Sequence, residues 1–346
     1  MKKLKEKLKK EKLAHSRHIH NLKRKKSTYK ASKHTPILQQ HSFVKQQNIT
    51  KKLPTPQTFS LIYNIDETLL FFDDFIKYSK EVDMIFIDMS KTESMTTEVL
   101  LYLISLDKIN DHNDIKVNIK IKTPNDKSSR LLMAQSGFSN YFRANAPVDL
   151  NHKDIFTIRD GITNEKFKID DGETCGDAVD FVMDRLGLTK RTQALRDMYN
   201  ALSEMMLNTQ HHAYDEDAQF RNWYLFGIKN SSGVAFYFFD NGKGIIKTAR
   251  ATLLEKLGKA LNISLAQESI IDAVLDENKY RSMTNKKGRS KGMPQINEFF
   301  SHKDIKLPII ITNKIQYLAK TQESKKTASN FKGALFVWMF TKEEDE

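Results

Sequence analysis

Cysteine is nearly absent. Cys175 stands alone among 346 residues, so no intrachain disulfide can form, and a reducing compartment suits the chain. No nucleophile partner for Cys175 is identifiable, and it reads as structural or incidental. Long apolar runs are also missing: nothing approaches the roughly 20 residues of a membrane span, and no apolar segment follows the charged N-terminus as in a secretory signal. A cytoplasmic protein is expected. No internal repeat is evident.

Acidic residues are scarce in one region. Residues 1–35 hold 14 Lys/Arg against two Glu, so this arm carries +12 of the formal +13 and the body is near neutral. Leu4, Leu8 and Leu13 are too few to bury a helical face, which points to disorder or a solvated helix. Clustered lysine also suits docking on an RNA or DNA backbone, an acidic protein or an anionic membrane surface. His15, His18 and His20 have no Cys or carboxylate cluster beside them and belong to the polar arm rather than to a metal site.

The remaining chain, with 39% hydrophobic residues overall, is long enough for two domains. Residues 36–57 read as a polar linker closed by Pro54 and Pro56, so 1–57 form arm and linker. Over residues 58–149 strand and helix alternate: TFSLIYN, a helix from Ile65, DMIFIDMS, a helix from Thr97, the alternating IKVNIKIKT, then SRLLMAQSGFSNYF. A small α/β domain results. Residues 150–188 read as a connecting hairpin, turning at Asp160-Gly161, and a helix.

Residues 189–346 carry three chemically loaded segments. In the first, Leu195, Met198, Leu202, Met205 and Met206 mark the buried stripe of a long helix, while Glu204, Asn208 and His212 fall at i, i+4 and i+8. Such a row presents a base and a metal ligand, although a solvated helix has the same pattern. In the second, Asp240 ends the hydrophobic strand GVAFYFFD, an expensive place for an acid without a hydrogen-bond donor. Asn241, Gly242, Lys243 and Gly244 follow, with glycines that admit a flat ligand or make a plain β-turn. In the third, Gly288 and Gly292 precede a short helix with Pro294 near its start. Backbone N–H groups there suit phosphate, and Lys286, Lys287, Arg289 and Lys291 raise the local potential. The run from Gly242 to Thr248 is one residue short of a P-loop and lacks the glycine before its lysine.

Taken together over residues 190–340, these segments resemble the GHKL ATPase superfamily of gyrase, Hsp-type chaperones, histidine kinases and MutL. SEMMLNTQHHAY resembles the N-box, FFDNGKGI the first glycine box, KGRSKGMPQI the second, and FKGALFVWMF the terminal strand. The flavour is that of anti-sigma serine kinases and stand-alone bacterial ATPases, whose N-box also runs on to His-Ala-Tyr. The resemblance implies an α+β two-layer sandwich, the GHKL or Bergerat ATP-binding fold, with ATP and Mg2+ as cofactors. Glu204 would be the general base, Asn208 the Mg2+ ligand and Asp240 the adenine reader. His212, Asn241, Gly242, Gly244, Gly288, Gly292, Met293 and Gly333 would complete the pocket, with residues 246–287 as a mobile lid. Ser290 stands where the family has glycine, and Ala334 follows Gly333 where a Thr is common, so a hydroxyl is missing beside the adenine.

Residues 58–145 are similar to a STAS domain, the anti-sigma-antagonist type, through Asp88-Met89-Ser90, the helix opening at Thr97, and Ser136-Gly137-Phe138. By this resemblance Thr97 would be a phosphoacceptor at a helix N-terminus; as plain sequence, Thr96 is an N-cap. The expected function is a Mg-ATP-binding conformational switch with slow hydrolysis that meets a protein partner through the STAS-like domain. The alternatives are a Ser/Thr kinase acting on a STAS domain, and a non-hydrolysing nucleotide-binding adaptor with a nucleic-acid-binding arm. No dimerising two-helix segment with an acceptor His precedes the N-box, which disfavours a histidine kinase. Homodimers are common in the superfamily.

Overall fold

A computed structural model describes residues 49–142, 153–162, 171–215, 218, 221–249, 266–276 and 292–341. The first half builds β1 (Thr50–Pro54), β2 (Thr58–Phe59), α1 (Ile65–Tyr78), β3 (Met84–Asp88), β4 (Ser94–Met95), α2 (Thr97–His112), β5 (Asn118–Lys122) and α3 (Lys127–Gln135). β1, β3 and β5 form a parallel sheet in that order, and β2 pairs with β4. Residues 50–54 are therefore a strand and not linker. Pro54 is tolerated because it lies at the last residue of an edge strand, where no ladder donor is needed. The expected strand TFSLIYN shrinks to Thr58–Phe59.

The second half adds β6 (Ile155–Ile162), α4 (Asp171–Leu186), α5 (Gln193–His211), β7 (Asn222–Asn230), β8 (Gly233–Asp240), α6 (Gln267–Leu275), α7 (Met293–Ser301), β9 (Ile305–Leu318) and β10 (Glu323–Phe340). Five strands form an antiparallel sheet ordered β6-β7-β8-β10-β9. The hairpin turn expected at Asp160-Gly161 is absent, because β6 runs straight through it and pairs with β7. Gly161 serves packing instead: a Cβ there would lie 2.2 Å from the Trp223 ring. Ile155–Ile162 and Asp171–Leu186 thus belong to the sheet and its helical layer rather than to a connector.

An antiparallel sheet commonly wets one face, and its strands then alternate in polarity. β8 does not alternate, since all eight of its residues are buried. Val234, Phe236 and Phe238 pack with helices α4 to α7, while Ala235, Tyr237 and Phe239 pack with α1, α2 and the small sheet. The two segments expected to be separate domains therefore share one core, and residues 48–346 form one compact unit. Each large side chain so buried contributes about 1.5–3 kcal/mol before entropy is counted. Helix α2 is buried around most of its circumference, as a helix between two apolar layers must be. Polar cross-links add registration: Gln316 Nε2 donates to the Ile62 carbonyl at 3.1 Å, and the Ala328 N–H donates to Asp66 Oδ1 at 2.8 Å. Among the described residues, no helix is long and apolar enough to cross a membrane.

Candidate functional site

Helix α5 starts at Thr192, whose hydroxyl accepts the Leu195 N–H at 3.3 Å. Its stripe of Leu195, Met198, Leu202, Met205 and Met206 is fully buried, which carries its last turns into the core. Glu204 is consequently 8% exposed, and Asn208, one turn on, is half-buried with a side-chain nitrogen that is buried and has no partner. The row breaks at His212: the helix ends at His211, and His212 is an exposed C-cap residue.

The chain after α5 closes on the loop after β8. The Asn208 carbonyl accepts the N–H groups of His212 at 2.9 Å and Ala213 at 3.0 Å, and the Ala213 carbonyl accepts the Lys243 N–H at 2.6 Å. Gly242 is required by that contact, since a Cβ would lie 2.4 Å from the Ala213 oxygen. Tyr214 OH bonds Asn241 Oδ1 and donates to the Asn222 carbonyl at 3.0 Å. Asn241, too, has a buried side-chain nitrogen without a partner. Buried amide donors without partners are uncommon and mark places that a ligand or water completes.

Asp240 lies at the centre. It is opposite Trp223 on β7 and Ala334 on β10, and Ala334 is in turn opposite Thr312 on β9. Four strands thus place Trp223, Asp240, Ala334 and Thr312 in one row on the face toward the helices, where Trp223 and Ala334 pack. Asp240 is 6% exposed, and its Oδ1 accepts the Gly242 N–H at 2.9 Å. Burial pushes its pKa up to about 7, against the pull of the Gly242 and Ala334 N–H groups. Gly333 makes the row possible. Its φ of +102° is open to glycine, and a Cβ would fall 1.8 Å from the Asp240 carbonyl oxygen.

Sequence reasoning missed the strand β9, and with it Thr312 and Asn313. The Thr312 hydroxyl accepts the Ile245 N–H at 2.9 Å and donates to the Gly333 carbonyl at 3.0 Å. Asn313 accepts the Ile246 N–H at 3.1 Å and donates to the Lys243 carbonyl at 3.0 Å, from a backbone with φ of +51° that Asn tolerates. Thr312 thus sets a hydroxyl opposite Ala334 in the row, engaged with Ile245 and Gly333. The β-branched run Ile309–Ile311 with Thr312 was the available signal.

Other expectations fare differently. Thr97 is 2% exposed, so its hydroxyl is closed to a kinase; it packs as a core residue beneath the Thr96 N-cap position. Within the expected lid, Ile246, Ile270, Ile271, Val274 and Leu275 are core residues, and residues 250–265 and 277–287 lie outside the described residues. Gly292, with φ of +54°, and buried Met293 open α7, which packs along α5 and is tied to it by His302 Nε2 and Asp197 Oδ2 at 2.8 Å. Lys286, Lys287, Gly288, Arg289, Ser290 and Lys291 lie outside the described residues. Cys175 is a core residue.

Among the described residues no three His, Cys, Asp or Glu side chains converge on one point. A hard divalent cation beside α5 would rely on oxygens of Asn208 and Glu204 together with those of a bound phosphate, a donor set that suits Mg2+. A separate cavity of about 580 Å3 lies beyond the carboxyl ends of β1, β3 and β5, lined by Thr55, Ser90, Lys91, Thr92, Asn125 and others. No family model matches the chain, and no curated protein is significantly similar to it.

Proposed function

We propose that the chain binds Mg-ATP at the junction of α5, the end of β8 and the β9–β10 row, and that it is a slow ATPase of GHKL type whose occupancy switches its contacts with a partner. The observation that carries this reading is the buried Asp240 carboxylate at the end of β8, whose following loop is bonded to the end of α5 through Lys243, Ala213 and Asn208. A buried acid near pKa 7 gains when an amine donates to it, and the adenine exocyclic amine is such a donor. Asn208 would hold the cation and Glu204 would orient the attacking water; the metal's contribution would be to neutralise charge on the phosphates. The 2% exposure of Thr97 leaves no support for phosphorylation at that residue in cis.

Thermal unfolding with and without Mg-ATP tests binding. At 100 times Kd the stabilisation should be about 2.7 kcal/mol, seen as a rise in Tm of several degrees. Asp240→Ala should abolish it, and an unshifted wild-type Tm would refute the reading. Glu204→Gln should keep the shift and lose phosphate release, which separates turnover from binding.

A further inference from the structure

The parallel sheet β1-β3-β5 has one buried face and one bare face. Leu53, Ile85 and Ile87 point into the core. On the opposite face every residue of all three strands is exposed or half-buried, and no described helix covers it. A parallel sheet normally has both faces covered, so the bare one asks for an occupant. In its middle row, Lys52 of β1, Phe86 of β3 and Lys120 of β5 stand in register, side by side across the three strands. The next row holds Asp88 between Pro54 and Lys122. Asp88 accepts from Lys52 Nζ at 2.7 Å and lies 3.9 Å from Lys122 Nζ, with those lysine side chains 63% and 53% exposed. Three lysines against one carboxylate leave the face net positive, with a half-buried aromatic ring at its centre.

We propose that this face is a platform for single-stranded nucleic acid, with a base stacked on Phe86 and the phosphodiester chain running past Lys52, Lys120 and Lys122. An aromatic side chain on a sheet with flanking cations is the common way to hold unpaired bases, because every base has a flat face and every linkage a charge. The charge also selects the occupant. The chain's own arm, +12 over residues 1–35, has the same sign as the face and so is not its electrostatic complement. Edge lysines also discourage strand-to-strand aggregation, but that role does not need a ring in register between them.

The test is fluorescence anisotropy of the full chain with a fluorescein-labelled 20-nucleotide oligothymidylate, repeated with labelled polyglutamate of similar charge. The wild type should bind the oligonucleotide with strong salt dependence. Phe86→Ala should weaken it about 5- to 100-fold, and Phe86→Trp should restore it. Lys52→Gln with Lys120→Gln should lower the slope of log K against log salt by about 1.4, the value for two lost contacts with a single strand. Unchanged melting temperatures establish that the variants fold. Failure of the wild type to bind, or equal binding by Phe86→Ala and the double lysine variant, overturns the proposal. So does polyglutamate binding as tightly as the oligonucleotide, which would assign the face to an acidic polypeptide.

Discussion

In the five-stranded sheet Trp338 and Phe239 are at most 1% exposed and both faces are covered, whereas the three-stranded sheet leaves Phe86 half-buried among exposed lysines. The same residue type thus has two fates within one compact unit. In the large sheet an aromatic ring is core, and its strands are apolar at consecutive positions. In the small sheet an aromatic ring on the outer face is flanked by charge, and its edge strand reads Asn-Ile-Lys-Ile-Lys. Burial on one face or two is therefore visible in the pattern of each strand, once it is known which strands share a sheet.

The sharpest way to break this comparison is to remove one ring from each sheet. Trp338→Ala should cost about 3–5 kcal/mol in urea denaturation, while Phe86→Ala should cost less than about 1 kcal/mol. Equal losses would mean that the outer face of the small sheet is packed. Gly333→Ala comes next, at about 3 kcal/mol, because the new methyl group meets the Asp240 carbonyl and the backbone is left-handed there.

Asp240 makes a comparable contribution that depends on pH. The folded chain keeps its proton up to about pH 7, whereas the unfolded carboxyl releases it near 3.8. The folded state therefore binds more protons in that window, and stability falls as pH rises from about 4 through 7, by an amount on the order of 4 kcal/mol. Asp240→Asn should flatten that slope in melts run across the range. A ligand amine that favours the carboxylate should bind more tightly above pH 7 than below it. The smallest site effect is expected from Thr312→Val, about 2 kcal/mol, because the Ile245 N–H and the Gly333 carbonyl both lose their partner.

Strong periodicity made most elements legible. The buried stripe of α5, the apolar runs of β7 and β8, and the alternation in β5 all lie where the patterns place them. Strand β1 was hidden by its Lys and Pro content, since an edge strand is half solvent and resembles a linker. The glycine of Asp160-Gly161 suggested a turn because the demand for space came from Trp223, more than 60 positions away in the chain. Glu204, Asn208, Asp240 and the neighbouring glycines stand out in the sequence as a candidate site by residue type and spacing. Thr312 and Asn313 do not, because their roles depend on the irregular register between β9 and β10 that places them against Gly333 and Lys243.

The shared helix α2 has a practical corollary. Severing the polypeptide near position 150 would strip the large sheet of its cover and put Tyr224, Phe226, Tyr237 and Phe239 into water at once. Such a fragment would be sticky, so the two halves must be made, purified and interrogated as one piece.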